Sequence, residues 1–288
     1  MSVGGNYLLN VGPDPTGVIP PEAQERLREI GGWMKVNSEA IHGAMSSPFP
    51  AKPSWGKITA KQDVLYLHVY RWNESISLTG IKSKVKAIQL LADPARTVTW
   101  VQEPCGSLGY DRLTIHLPGD APDPNVSVVK VQIESPMQLE ARIIEDDSGS
   151  IQLSACLSEV HSSADKPQAS INITGIVQRW MSTADWFSWE FLCEHPGEFN
   201  VSVMGSTNPW VLGDFGHQIV VEFGDQKDEV EILDSDNPAE RYPKRTYHVG
   251  RIRIEKAGLY RIAVRANKLV STNGQGFTMS MVKLEPSK

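Results

Sequence analysis

The chain has 288 residues, of which 40% are hydrophobic and 22% charged, which is typical of folded domains and excludes a disordered chain. Its net charge of −6 falls entirely on residues 136–288, which hold 15 Lys or Arg and 21 Asp or Glu. Because an acidic domain repels phosphate backbones, we expect no nucleic-acid partner. No apolar run reaches the ~18–20 residues of a membrane helix and the first residues lack a signal-peptide pattern, so we expect no membrane partner and leave the compartment open.

The chain opens with an apolar segment followed by a helical pattern. Residues 6–13 (NYLLNVGP) predict a strand buried on both faces, and Pro20 and Pro21 are typical of a helix start. Four apolar residues then recur at helical spacing: Ala23, Leu27, Ile30 and Met34. This is one strand-helix unit of an α/β barrel, which cannot be a domain by itself.

From residue 46 a linker with three prolines leads into short alternating segments, which predict an antiparallel sandwich over 46–135. A second series of segments over 136–288 predicts a jelly roll. The predicted fold is therefore mainly β: two antiparallel β-sandwich domains at 46–135 and 136–288, preceded by the last β/α unit of a barrel at 1–45.

Residues 4–13 (GGNYLLNVGP), 17–20 (GVIP) and 37–41 (NSEAI) closely resemble the end of the catalytic barrel in family 29 α-L-fucosidases. Residues 65–69 (LYLHV) and 121–124 (APDP) resemble the sandwich that follows it, and residues 185–191 (DWFSWEF) resemble a jelly roll appended to some bacterial members. The resemblance implies retaining hydrolysis of terminal α-L-fucose by a carboxylate nucleophile and a carboxylate acid/base. In the family both precede the matched strand, so no catalytic residue is assigned here.

The resemblance therefore indicates a C-terminal portion that supports or targets a barrel encoded elsewhere in a secreted, periplasmic or lysosome-like parent. Its partners would be that barrel and a fucosylated glycan or other carbohydrate. Two alternatives stay open: a stand-alone glycan-binding protein, and a scaffold that packs on a partner chain supplying the missing strands. Asp14 follows the predicted strand, but an Asp between two prolines is more typical of a turn than of catalysis.

Sugar rings stack on indole rings while amides and carboxylates bind their hydroxyls. We therefore predict a carbohydrate site in residues 136–288, with Trp180 and Trp210 in loops as its first platforms. Within residues 186–191, alternation places Phe187 and Trp189 in the core and Trp186 on the opposite face. The full set of candidates is Trp180, Trp210, Trp186, Asn208, Asp214 and Asn267.

No metal ligand is assigned, because the seven histidines lack helical pairing and the three cysteines lack metal-type spacing. No cofactor is expected, except that residues 145–147 (EDD) could hold calcium; a solvated turn explains this run better. We expect His68 and His116 to be at least half-exposed. We expect Cys105, Cys156 and Cys193 to be small buried residues, with a Cys156–Cys193 bridge left open.

Overall fold

A computed structural model describes residues 2–172, 175–206, 216–233, 245–271, 274 and 276–287. The chain divides into two compact units, Met1–Ala141 and Arg142–Lys288. The predicted division at 45 and 135 stays a prediction, because two units do not test a three-part scheme. In the part of the chain described, no helix has the length and apolar character needed to cross a membrane.

The helix of the predicted β/α unit is present, but its strand is not. Helix α1 spans Pro21–Asn37, with proline in its first turn as the sequence predicted. Residues 6–20 lie in no helix or strand. Tyr7 and Leu8 are 78% and 89% exposed, so the prediction that they are buried is wrong for this chain. The physical reason is that a parallel strand needs neighbours on both sides, and the first unit offers none here.

Seven strands form the sandwich of the first unit: β1 (Gly56–Lys61), β2 (Val64–Val69), β3 (Ser75–Ile81), β4 (Val85–Leu90), β5 (Thr99–Pro104), β6 (Asp111–His116) and β7 (Ser127–Ile133). One sheet has the order β1-β2-β7-β4 and the other β3-β6-β5, with all pairs antiparallel. Alternating apolar residues from both sheets, including Leu65, Leu113 and Val129, fill the core between them.

Helix α1 packs on this sandwich through Trp33. The Trp33 indole N–H donates to the Val126 carbonyl at 2.8 Å, and the ring lies beside a small cluster of Ala40, Tyr66 and Val128. The expected apolar stripe is only partly used, because Leu27 and Ile30 stay 36% and 47% exposed. Trp33 is therefore a main contact of the helix with the sandwich, and the helix leaves apolar surface open.

The described part of the second unit contains twelve strands: β8 (Ile143–Ile144), β9 (Ile151–Ser154), β10 (Glu159–Ser162), β11 (Ser170–Ile171), β12 (Val177–Trp180), β13 (Asp185–Cys193), β14 (Gly197–Ser206), β15 (His217–Phe223), β16 (Gln226–Ile232), β17 (Arg245–Ile254), β18 (Gly258–Lys268) and β19 (Phe277–Pro286). One sheet has the order β10-β13-β18-β15-β16 with β8 beside β13, and the other β11-β12-β19-β14-β17 with β9 beside β19. Except for the parallel β8–β13 pair, neighbouring strands are antiparallel.

The core of the second unit is rich in aromatic residues. Phe187, Trp189 and Phe191 are each at most 1% exposed, which confirms the face assignment made from alternation along β13. Trp189 also donates its indole N–H to the Ser154 carbonyl at 2.8 Å, so its one polar atom is satisfied inside the sandwich. The other face of β13 is therefore available for polar side chains.

Candidate carbohydrate-binding face

The six predicted sugar-binding residues do not form one cluster in the described structure. Trp210, Asn208 and Asp214 lie outside the described residues. Trp180, Trp186 and Asn267 are described, and they lie in two different sheets.

Trp180 is not a loop residue, and that part of the prediction is wrong. It is the last residue of β12 and is fully buried, with its ring edge-on to Phe187 at 4.9 Å between centroids. Its indole N–H donates to the Asp185 carbonyl at 3.1 Å. A ring enclosed in this way cannot stack on a sugar, so Trp180 stabilises the core.

Trp186 and Asn267 lie on one surface, the outward side of the β10-β13-β18-β15-β16 sheet. We call it the outer sheet face and define it by these residues: Glu159, His161, Trp186, Ser188, Glu222, Glu229, Arg261, Arg265 and Asn267. Asn267, next to a register shift in the pairing of β15 with β18, donates its side-chain amide to Glu229 on β16. The sheet therefore brings together two candidates that are 81 positions apart in sequence.

Three planar groups stack across the outer sheet face. The ring of His161 lies 3.8 Å from that of Trp186 at an interplanar angle of 16°. The Arg265 guanidinium lies 3.9 Å from the centre of the Trp186 ring. Residues opposite one another on antiparallel strands come close enough for such contacts, and His161 is directly opposite Trp186. Arg265 is held in place by Glu222, whose carboxylate accepts from its Nε at 2.8 Å.

Ser188 joins this stack to a second arginine. The residue is 1% exposed, and its hydroxyl accepts from Arg261 Nη2 at 2.8 Å and contacts His161 Nε2 at 2.8 Å. The same Nη2 also donates to Glu159 at 2.6 Å. Partial burial, followed by the positive charge of Arg261, lowers the pKa of His161, so a neutral ring is favoured at neutral pH.

The outer sheet face is suited to hydrogen bonding more than to ring stacking. Because His161 and Arg265 cover the two sides of Trp186, this tryptophan does not present a free ring face. The arginines and carboxylates are paired with each other, and such pairs can donate to and accept from neutral hydroxyls. Sequence reasoning found Trp186 and Asn267 but missed His161, Ser188, Arg261 and Arg265. The pairing of β10 and β18 with β13 brings these residues together, and the pairing of strands far apart in sequence was not visible in the pattern.

The acidic run proposed for calcium is used within the fold. Glu145 is 3% exposed and accepts from the backbone N–H groups of Glu194 and His195, at 2.6 and 2.9 Å, and contacts His195 Nδ1 at 2.8 Å. Asp146 accepts from the backbone of Ser148 and Ser150 at 2.9 and 3.0 Å. No group of three or more His, Cys, Asp or Glu within the described residues is placed to hold a metal ion.

Three comparisons relate these features to known proteins. Residues 1–39 match the family model described as alpha-L-fucosidase. The plasma alpha-L-fucosidase of Rattus norvegicus is 55% identical over 125 residues, which cover 40% of this chain and 27% of that protein. The tissue alpha-L-fucosidase of the same species is 34% identical over 110 residues, which cover 36% of this chain and 23% of that protein. The chain is thus related to the α-L-fucosidases.

A solved structure extends the likeness to the whole fold. The crystal structure of alpha-L-fucosidase from Vibrio sp. strain EJY3 superposes with a TM-score of 0.73 over 99% of this chain and 49% of that one. Its sequence identity of 22% means that the fold is shared and nothing finer. This chain therefore matches about half of the Vibrio protein and about a quarter of the two rat proteins.

In this fucosidase-related chain, Asp14 is a turn residue. Its side chain accepts from the Thr16 hydroxyl at 2.6 Å and from the backbone N–H groups of Thr16 and Val18, at 2.8 and 3.0 Å. The Thr16 hydroxyl first, then the Val18 N–H, lowers the pKa of Asp14. A general acid needs the opposite shift, because it must be protonated near neutral pH.

The remaining titratable candidates agree with expectation only in part. His116 is exposed as expected, whereas His68 is buried at 5% exposure. The three cysteines are free, so the open Cys156–Cys193 bridge is not formed in this structure. Cys105 and Cys193 are buried as expected, but Cys156 is exposed. Burial and the neighbouring Glu145 raise the pKa of Cys193, which makes it an inert thiol.

Proposed function

We propose that these 288 residues form the C-terminal part of an α-L-fucosidase, in which they support and target a catalytic barrel that they do not contain. The substrate of the whole enzyme would be a glycan with terminal α-L-fucose, cleaved with retention through a carboxylate nucleophile and a carboxylate acid/base. Both groups would come from the missing barrel. The two sandwiches would serve as scaffold or glycan-targeting modules.

The observation that carries this proposal is the exposed apolar surface at the start of the chain. Residues 1–39 are the part that matches the fucosidase family model, yet Tyr7, Leu8 and Leu9 are 78%, 89% and 43% exposed. Adjacent apolar side chains normally avoid water, so contiguous exposed ones mark an interface. Neighbouring parallel strands would cover this segment on both sides, and further barrel helices would cover Leu27.

Catalysis by a barrel outside these residues also agrees with the acidic groups inside them. Retention requires two carboxyl groups about 5–5.5 Å apart. Asp14, which lies where barrel enzymes place their chemistry, holds its own turn and has a lowered pKa. Glu145 is occupied by two backbone N–H groups.

The test is an assay of the 288-residue chain with 4-nitrophenyl α-L-fucoside. We expect no release of nitrophenol above the rate without protein, and the rate should be the same for Asp14→Asn. Addition of a separately expressed barrel from the parent protein should restore turnover. Hydrolysis by this chain alone would overturn the proposal.

A second candidate function is glycan binding by the second unit without hydrolysis. The outer sheet face favours it, because Arg261, Arg265, Glu229 and Asn267 place donors and acceptors on one surface. A glycan array probed with the full chain and with Arg265→Ala and Asn267→Ala would test this function. Binding that both substitutions weaken supports it, and binding that neither changes contradicts it.

A further inference from the structure

The first unit contains a groove between α1 and the sandwich. Its volume is about 680 Å³, within the range of about 300–1,000 Å³ typical of small-molecule sites. The helix contributes Ile30 and Trp33, strand β2 contributes His68, and Tyr70 follows that strand directly. Several lining residues, including His68, lie in segments that resemble the fucosidases, but that resemblance assigns them no ligand role, and the outer sheet face lies in the other unit.

The hydrogen bonds around His68 assign its tautomer. The Thr59 hydroxyl donates to the Ala40 carbonyl at 2.7 Å, which uses its only proton. The 3.0 Å contact between Thr59 Oγ1 and His68 Nε2 must therefore have Nε2 as the donor. The neutral ring then carries its proton on Nε2, and Nδ1 is an acceptor. Burial lowers the pKa of His68 to about 4, so the ring keeps this form at neutral pH.

The Nδ1 atom of His68 has no hydrogen-bond partner among the described residues, although the residue is only 5% exposed and lines the groove. Since Nε2 is bonded to Thr59, Nδ1 is the ring atom left to accept from a group that enters the groove. A ligand hydroxyl in the groove would satisfy it.

The other side chains that line the groove determine which kind of ligand fits it. Trp33 is fixed by its bond to the Val126 carbonyl, and Tyr70 is 51% exposed beside it in the lining. Flat aromatic surfaces of this kind bind the C–H face of a sugar ring.

At the rim, Arg26 and Glu29 form an ion pair at 2.7 Å, which leaves no net charge on the helix side. The lining also contains the Asp123 carboxylate, which accepts from the backbone N–H groups of Asn125 and Val126 at 2.9 Å. The groove therefore disfavours an anion, and a neutral ligand suits its aromatic walls.

We propose that the groove between α1 and the first sandwich binds a neutral pyranose ring, with Tyr70 and Trp33 as its walls and His68 Nδ1 as acceptor for a ring hydroxyl. This site is distinct from the outer sheet face and does not depend on the proposed origin of the chain in a larger enzyme. It assigns ligand binding to the first sandwich, which otherwise has only a supporting role.

The experiment is a titration of the full chain with lactose, cellobiose and maltose, followed by ¹H–¹⁵N NMR. We expect the Trp33 indole resonance, assigned with Trp33→Phe, to shift with at least one disaccharide. Sorbitol has the hydroxyls but no flat apolar face, and it should leave this resonance unchanged.

Three substitutions separate the roles of the lining residues. His68→Gln keeps an N–H for Thr59 but loses the Nδ1 acceptor, and Tyr70→Ala removes one wall; each should weaken binding about threefold to tenfold. Tyr70→Phe keeps the ring and should bind as the unsubstituted chain does. Val101→Ala, at a 44% exposed position on β5, is the matched control.

Three results would overturn the assignment: no shift with any of the three disaccharides, binding unaffected by both His68→Gln and Tyr70→Ala, or shifts confined to the second unit. The last result would support glycan binding at the outer sheet face instead. None of these three results depends on whether the chain hydrolyses a fucoside, so this proposal and the proposed function can fail separately.

Discussion

The two buried ionisable side chains with the most consequence are His68 and Glu145, one in each unit. Both are enclosed by their own sandwich and both are tied by hydrogen bonds to backbone or neighbouring side chains. They differ in role: His68 is buried as a neutral ring, whereas Glu145 accepts backbone N–H groups. Their responses to substitution should therefore differ.

We expect the first unit to lose stability as the pH falls from about 6.5 to about 4. The pKa of His68 is lowered from 6.5 to about 4, so over this interval the unfolded chain binds a proton that the folded chain does not. The loss approaches about 3 kcal/mol when integrated over the shift. Hydrogen exchange of β2 amides against pH measures it, and the dependence should flatten in His68→Gln. An unchanged profile in that variant would contradict the assignment to His68.

For Glu145, we expect the alanine variant to destabilise the second unit by about 2–5 kcal/mol, because the N–H groups of Glu194 and His195 would lose their acceptor. Glu145→Gln keeps one side-chain oxygen and should lose less. Urea unfolding of the unsubstituted chain and both variants checks this order. The matched control is Glu190→Ala, which removes an exposed carboxylate from the same unit and should change stability by under about 0.5 kcal/mol. Equal losses at positions 145 and 190 would contradict the buried role of Glu145.

At the scale of elements, β12 is a strand that sequence patterns do not predict. The sequence predicts a loop at Trp180, yet residues 177–180 pair with β19 across a register shift, and Arg179 has a left-handed φ of 57°. Such a conformation is usually signalled by glycine or asparagine, and arginine gives no such signal. By contrast, the alternation that the sequence shows within residues 186–191 lies inside the longer strand β13 (Asp185–Cys193).

The same comparison explains which parts of the candidate sites were missed. Strands β1 and β10 are short, and the roles of their residues depend on the side chains that the neighbouring strands place beside them. His161 was therefore invisible as a neighbour of Trp186, and Thr59 as the partner of His68. Periodicity shows which face a side chain occupies, but the pairing of strands far apart in sequence decides what it touches.

Trp180→Ala should destabilise the second unit by about 3–5 kcal/mol, because a fully buried indole in β12 would be replaced by a cavity. Trp186→Ala, on the outer sheet face, should cost less than Trp180→Ala. Thermal unfolding of both variants compares a core tryptophan with a surface one. Equal losses would argue against the placement of Trp180 inside the sandwich and Trp186 outside it.

At the scale of the whole molecule, the exposed apolar surface near the N-terminus is the feature that should favour self-association. We expect the combined variant Leu8→Ser and Leu27→Ser to change the stability of the first unit by under about 0.5 kcal/mol, because both side chains are exposed. It should reduce self-association, which sedimentation at increasing concentration measures. Ser2→Ala and Gln24→Ala, which alter polar positions, serve as controls. Association that persists after the leucine substitutions would speak against this surface as an interface.

The Thr59 hydroxyl that bonds Ala40 has a mechanical consequence. Ala40 lies just beyond α1, and Thr59 lies on β1, so this bond fastens the exit of the helix to the sheet while Trp33 fastens its C-terminal half. The helix therefore belongs with the sandwich, although its sequence resembles the end of a barrel. If a barrel is grafted onto this chain, its last helix is already anchored, and segment 6–13 is the part that must fold into it.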